Sequence, residues 1–180
     1  KAYDLYKKEN CDCLIAFGGG SSMDCAKALG VQIVYPKKTL GQLKGILKVH
    51  KKLPLLIAIP TTAGTGSETT LAAIITDSKT RHKYAINSFP LIPHYAVLDA
   101  KVTLSLPKTI TATTGMDALT HAVEAYIGGS TTKKTRKFSL FLLKFNFFIF
   151  NILYYFCYCM ILVAYRYNIC HILCFLAGIF

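Results

Sequence analysis

The sequence predicts an α/β protein that gives way to a helical one, on three observations. Two short apolar runs, residues 13–17 and 55–59, each break into a turn rich in glycine or threonine. Strand-like and helix-like patterns alternate across the first 104 residues. From Ser105 only the helical period remains, which marks a second, helical unit.

The elements follow in order. Residues 2–9 are charged and amphipathic, as in the end of a helix. The run at 13–17 is short enough for a buried parallel strand, and Gly18-Gly19-Gly20-Ser21 breaks it. A helix is expected from about Asp24 to Val31, with Ser21 and Asp24 at the spacing of a capping box. The run at 55–59 is a second buried strand, ending at Pro60. Thr61-Thr62-Ala63-Gly64-Thr65-Gly66-Ser67-Glu68 follows, and Thr65 and Glu68 again have capping-box spacing. Residues 72–76 and 84–87 read as a hairpin turning through 78–81, and 95–98 as a last strand closed by Asp99. A short helix is expected over 107–114. A second spans 115–127, stopped by Gly128 and Gly129.

Composition narrows the function. Apolar residues make up 53% of the chain, enough to build a core. The net charge of +12 invites a nucleic-acid partner, but its distribution argues against one. All nine acidic residues lie between Asp4 and Glu124, and residues 1–124 carry 15 basic groups, leaving +6 there. The other +6 belongs to the last 56 residues. That is solvated surface plus an atypical tail, not a nucleic-acid face. Residues 1–10 are not a signal peptide, and the seven cysteines form no CxxC pair, which fits a reducing, cytoplasmic setting. Cys11 and Cys13 read as strand-edge residues.

The tail from Phe138 holds nine of the eleven Phe residues, no Pro and no acid. Residues 145–165 are uncharged, long enough to span a bilayer. The tail is expected to be helical if ordered. Its composition resembles translated AT-rich noncoding sequence, and a genuine membrane helix is the alternative.

Three segments can carry chemistry. Gly18-Gly19-Gly20-Ser21, between strand and helix, suits a phosphate, because glycines admit close approach and helix-start N–H groups face an anion. The competing reading is a structural turn. Thr61, Thr62 and Thr65 offer hydroxyls to a ribose or phosphate; the competing reading is a capped helix entry. Two such turns after two strands suggest one crevice at the strand carboxyl ends. Neither is GxGxxG or a Walker P-loop. Asp117 and His121, four apart, share a helix face and suit Fe²⁺ or Zn²⁺. Glu124 lies on the same side. Two ligands do not make a site, and the bland reading is a surface hydrogen-bonded pair.

GGGSSMD, IPTTAGTGSE and GMDALTHAVEAY, in this order and spacing, resemble the iron-containing alcohol dehydrogenases, which include lactaldehyde reductase and the propanediol and butanol dehydrogenases. The likeness runs from about Asp12 to Lys137. It implies a partial Rossmann-like NAD(P)-binding α/β domain over 1–104. The start of an all-α iron-binding domain would follow over 105–137, and 138–180 is a non-family tail. It implies that Gly19, Gly20 and Ser21 bind the pyrophosphate of NAD or NADP. Thr61, Thr62 and Thr65 would line the cofactor, and Lys83 would approach the nicotinamide side. Asp117 and His121 are implied as the first two ligands of Fe²⁺, with Zn²⁺ the alternative. The implied reaction is reversible hydride transfer between NAD(P) and a primary or secondary alcohol or aldehyde, with the metal as Lewis acid. The intact form is expected to be a homo-oligomer with no nucleic-acid partner.

Two departures bear on activity. The family has a further α/β unit before the position of Lys1, and its two remaining metal ligands are histidines on later helices. His50, His82 and His94 precede the metal helix, and His171 lies in a segment unlike any family helix. The chain is therefore expected to be an inactive fragment. The alternatives are a non-catalytic, membrane-attached relative and a zinc-dependent glycerol dehydrogenase relative.

Sequencing the mature transcript across codons 130–180 checks the tail. A continuation that supplies two further histidines identifies the tail as an artefact; a transcript encoding the tail as written leaves the metal site incomplete and makes membrane attachment the question.

Overall fold

The computed structural model describes residues 1–78, 80–148 and 172–173. Helix α1 (Ala2–Lys8) leads into strand β1 (Cys13–Gly18) and helix α2 (Gly20–Val34). Strands β2 (Gly45–Ile46), β3 (Leu55–Pro60), β4 (Ala72–Thr76), β5 (Lys83–Asn87) and β6 (Tyr95–Val97) follow, with 3-10 turns between some of them. Helices α3 (Lys108–Ile127) and α4 (Lys133–Phe148) come next, and β7 (Ile172–Leu173) pairs beside β6.

Two sheets organise the α/β part. The first is parallel, in the order β1-β3-β6-β7. Cys13 lies against Leu55 and Gly18 against Pro60, so β1 and β3 end level with one another. The second is β2-β5-β4, where the expected hairpin pairs Ala72 with Asn87 and Thr76 with Lys83. The parallel first sheet is of the Rossmann-like type that the family resemblance implied.

Helix α2 joins the two sheets. Its Met23 packs on Ala16, Leu56 and Ala58, with Leu14 and Ala26 at the margin. Farther along, Val31 enters the larger core of Leu43, Val49, Leu53, Ala73, Ile86 and Leu91. Period 2 then decides β1: Leu14 and Ala16 face α2, whereas Ile15 and Phe17 stay 63% and 60% exposed on the other face. The expectation of a strand buried on both faces is thus met on one face among the described residues.

Three boundaries differ from those expected. Helix α2 begins at Gly20, not near Asp24, because the helix takes in the end of the glycine turn. Gly115 does not separate two helices. One glycine costs a helix only about 1 kcal/mol, and the Thr111 and Thr114 hydroxyls donate back to the Pro107 and Ile110 carbonyls within the same turns. Helix α3 does end at Gly128, but with that residue at φ −59°, not in a left-handed cap. Helix α4 crosses residue 138, where the composition changes. Its neighbour α3 buries Ala118 and Ala122. Among the described residues no helix is long and apolar enough to cross a membrane. Most of the candidate span 145–165 lies outside the described residues.

The core supplies a stability prediction. Ile86 is fully buried in the cluster that joins α2 to the second sheet. Ile86→Ala should cost about 2–5 kcal/mol, read as a lower urea midpoint at unchanged slope; a shift within error would show that this cluster does not hold the two sheets together.

Candidate functional site

The level ends of β1 and β3 bring the two turns together. The Thr61 N–H donates to the Gly18 carbonyl at 2.9 Å, extending the ladder by one rung. Helix α2 opens at Gly19, whose extended backbone caps it without a side chain. The N–H groups of Gly20 and Ser21, in its first turn, have no acceptor within the helix. A Cβ on Gly19 would lie 3.2 Å from the Thr62 methyl, and one on Gly20 equally near the Thr65 methyl. The second turn lies directly against the first, and would have to give by a few tenths of an ångström to admit a side chain at either glycine. Thr62 Oγ1 is buried with no hydrogen-bond partner. Such an orphan costs about 1–3 kcal/mol unless something satisfies it.

Neither capping box forms. Ser21 and Asp24 lie inside α2, since the helix begins before them. No helix follows Thr65, so Glu68 caps nothing. Instead Thr65 Oγ1 accepts from the Ser67 N–H at 3.4 Å in a local turn. Gly64, at φ +148°, lets the turn press on α3: a Cβ there would overlap the Thr114 carbonyl.

Behind the turns is a buried ionic cluster that sequence reasoning missed. Lys27 is fully buried. Its Nζ donates to the carbonyls of Ser67 (2.6 Å), Thr70 (2.8 Å) and Ala72 (2.8 Å). It also reaches the hydroxyls of Ser67 and Thr70. Asp24 accepts from Ser67 Oγ at 2.8 Å and from the Ile74 N–H at 3.2 Å. Glu68 is 2% exposed, and its Oε1 has no partner. Burial draws the Lys27 ammonium down to about 8, opposed by Asp24 and Glu68. Burial likewise pushes the Glu68 carboxyl up to about 7, opposed by its own backbone N–H and by Lys27. A signal was present: Lys27 follows Met23 by four and precedes Val31 by four, on the apolar stripe of α2.

The remaining candidates stand apart. Lys83 opens β5 and is exposed, paired with Thr76 at the hairpin end. That is four residues from the Ala72–Asn87 pair beside the cluster, about 13 Å along the strand. Asp117 Oδ2 lies 3.7 Å from His121 Nε2, and Glu124 Oε2 lies 3.8 Å from His121 Nδ1, all on an open face of α3. These are suitable donors for a divalent metal. Among the described residues, however, no group of three or more His, Cys, Asp or Glu could hold one. Asp117 and His121 by themselves therefore do not make a metal centre among the described residues, and His171 lies outside them. The His94 imidazole supports the start of β3, its Nδ1 accepting from the Leu56 N–H at 3.2 Å.

Comparison with known proteins gives a consistent result. The family model described as iron-containing alcohol dehydrogenase matches residues 1–100. The chain is 42% identical over 137 residues to the NAD-dependent methanol dehydrogenase of Bacillus methanolicus, covering 76% of this chain and 36% of that one. It is 48% identical over 125 residues to alcohol dehydrogenase 4 of Schizosaccharomyces pombe, covering 69% and 29%. The crystal structure of a 1,3-propanediol oxidoreductase superposes with a TM-score of 0.78 at 32% identity, covering 92% of this chain and 46% of that one. The chain thus spans about a third of the length of these curated relatives.

The cluster makes stability depend on pH with a definite sign. Between pH 4.5 and about 7 the folded chain holds a proton on Glu68 that the unfolded chain has lost, so stability falls as pH rises. Between about 8 and 10.5 the unfolded chain holds a proton on Lys27 that the folded chain has lost, so stability rises. Each limb is worth up to about 3 kcal/mol. Urea midpoints from pH 5 to 10 should show a minimum near neutrality, and Glu68→Gln should flatten the acid limb. A steady rise from pH 5 to 7.5 in the unaltered chain would contradict this.

Proposed function

Since the chain belongs to the iron-containing alcohol dehydrogenase family, we propose that its two abutting turns form the NAD(P) crevice of an alcohol-oxidising or aldehyde-reducing enzyme. The observation that carries this is the orphaned, buried Thr62 hydroxyl beside the open first turn of α2. A buried hydroxyl without a partner and helix-start N–H groups without acceptors are both satisfied by one anionic, oxygen-rich ligand.

In this reading Gly19, Gly20 and Ser21 receive the pyrophosphate on backbone N–H groups. The glycines keep Cβ atoms out of the space that Thr62 and Thr65 occupy. Thr61, Thr62 and Thr65 line the dinucleotide, and Lys83 approaches its nicotinamide side. Bound NAD(P) supplies hydride chemistry at the nicotinamide ring. The substrates are small primary or secondary alcohols and aldehydes, and the whole protein is a homo-oligomer. Asp117 and His121 contribute two donors for Fe²⁺. With only these two among the described residues, no metal-assisted step is assigned to this chain. It is a binding fragment that does not turn over alone.

Thr62→Val separates the ligand role from a structural one. It removes the unpaired hydroxyl at nearly constant shape, so the free chain should melt at the same temperature or slightly higher. NADH affinity, by fluorescence titration, should fall about tenfold, the worth of one lost hydrogen bond. Unchanged affinity would remove Thr62 from the crevice.

The activity reading has its own test. The chain supplied with NAD, Fe²⁺ and ethanol or butanol should produce no NADH, while still binding NADH. Measurable turnover would show that a complete metal site forms after all.

A further inference from the structure

We propose that Lys27 is a positioning residue for the dinucleotide crevice, clamping residues 67–72 to α2 so that the threonine turn stays against Gly19 and Gly20. The inference rests on the dinucleotide reading above. Being fully buried, Lys27 has no surface to offer a ligand, so any effect on binding is transmitted through the residues it holds.

The geometry carries the argument. Residues 61–71 belong to no helix or strand, and their carbonyls take few backbone bonds: Thr69 N–H to Gly66, Thr70 N–H to Ser67 and Ser88 N–H to Leu71. An ammonium has three protons, and three carbonyls lie within 2.8 Å of this one: Ser67, Thr70 and Ala72. Asp24, one turn earlier on α2, holds Ser67 Oγ and the Ile74 N–H. Two successive turns of α2 therefore grip the far end of the segment, while the near end is anchored where β3 stops at Pro60. Only six residues lie between Pro60 and Ser67, and they include Thr61, Thr62 and Thr65. In the middle Gly64 rests on the Thr114 carbonyl. A turn pinned at both ends and backed at its centre has little room to move, and that preorganisation lowers the entropy cost of binding.

Ser67→Ala, Lys27→Met and the remote core variant Val49→Ala separate this role from general stability. The 180-residue chain and each variant are compared by NADH fluorescence titration, amide hydrogen exchange and melting temperature. Ser67→Ala should weaken NADH binding about threefold and Lys27→Met about tenfold or more, through lost preorganisation. Both should speed exchange within residues 61–72 and change the NADH emission at saturation. Ser67→Thr, which keeps the hydroxyl, should recover affinity. Val49→Ala should lower the melting temperature and leave affinity and emission unchanged. If Lys27→Met does not fold, Ser67→Ala decides. Affinity and emission that ignore Ser67→Ala despite faster exchange would overturn the positioning role alone. No NADH binding by the unaltered chain would overturn the dinucleotide reading and this role with it.

Discussion

A single buried ammonium connects most of what this chain builds. Lys27 stands on α2, which touches both sheets; its carbonyl partners Ser67 and Thr70 belong to the segment between them, and the third, Ala72, opens β4. A lysine is expensive to bury, and lone pairs on unpaired backbone carbonyls are too. Each deficit is met by the other. Asp24 and Glu68 supply the balancing charge, and Asp24 also accepts from Ser67 in that segment and from Ile74 in β4. Removing the lysine would leave three carbonyls and a carboxylate without their cation, so the cluster stands or falls as a unit.

The clamp explains why residues far apart in sequence belong to the same motifs. In GGGSSMDCAK the glycines shape the crevice, but Asp24 and Lys27 hold the opposite turn. In TTAGTGSE the threonines face the glycines, but Ser67 and Glu68 belong to the clamp. Gly64 faces neither. Its left-handed backbone admits the Thr114 carbonyl, which sets α3 directly behind the crevice. Each motif therefore combines residues that meet the open crevice with residues that hold its partner, and only the first group is readable as ligand chemistry.

That division marks what was legible. The strands, the hairpin and the helical turn of the chain after residue 105 follow from periodicity, which reports local burial. The meeting of the two turns was also legible, because parallel strands of equal length end level. What escaped were long-range polar contacts. Ser21 with Asp24, and Thr65 with Glu68, have the spacing of a cap, and local spacing cannot tell a cap from a side chain reaching forty residues away. Lys27 was visible as a charge on an apolar stripe. Its meaning depended on where distant backbone carbonyls point, which no pattern of side chains reveals.

Two acidic–basic groupings among the described residues differ in a way that bears on function. The cluster around Lys27 is buried, and Lys27 and Asp24 have partners whose loss would unbalance the fold. Asp117 and His121 lie in the open at 3.7 Å, with Glu124 on the other side of the imidazole. Exposed pairs of this kind are worth about 0–1 kcal/mol. Nor does packing account for them, since the side of α3 that packs is Ala118 and Ala122. The contact of Gly64 with Thr114 nevertheless fixes this helix less than one turn before Asp117. Stability explains why Lys27 is where it is. It does not explain Asp117 and His121, and in the proposed reading a carboxylate and an imidazole held one helical turn apart beside the proposed crevice serve as two donors to a metal.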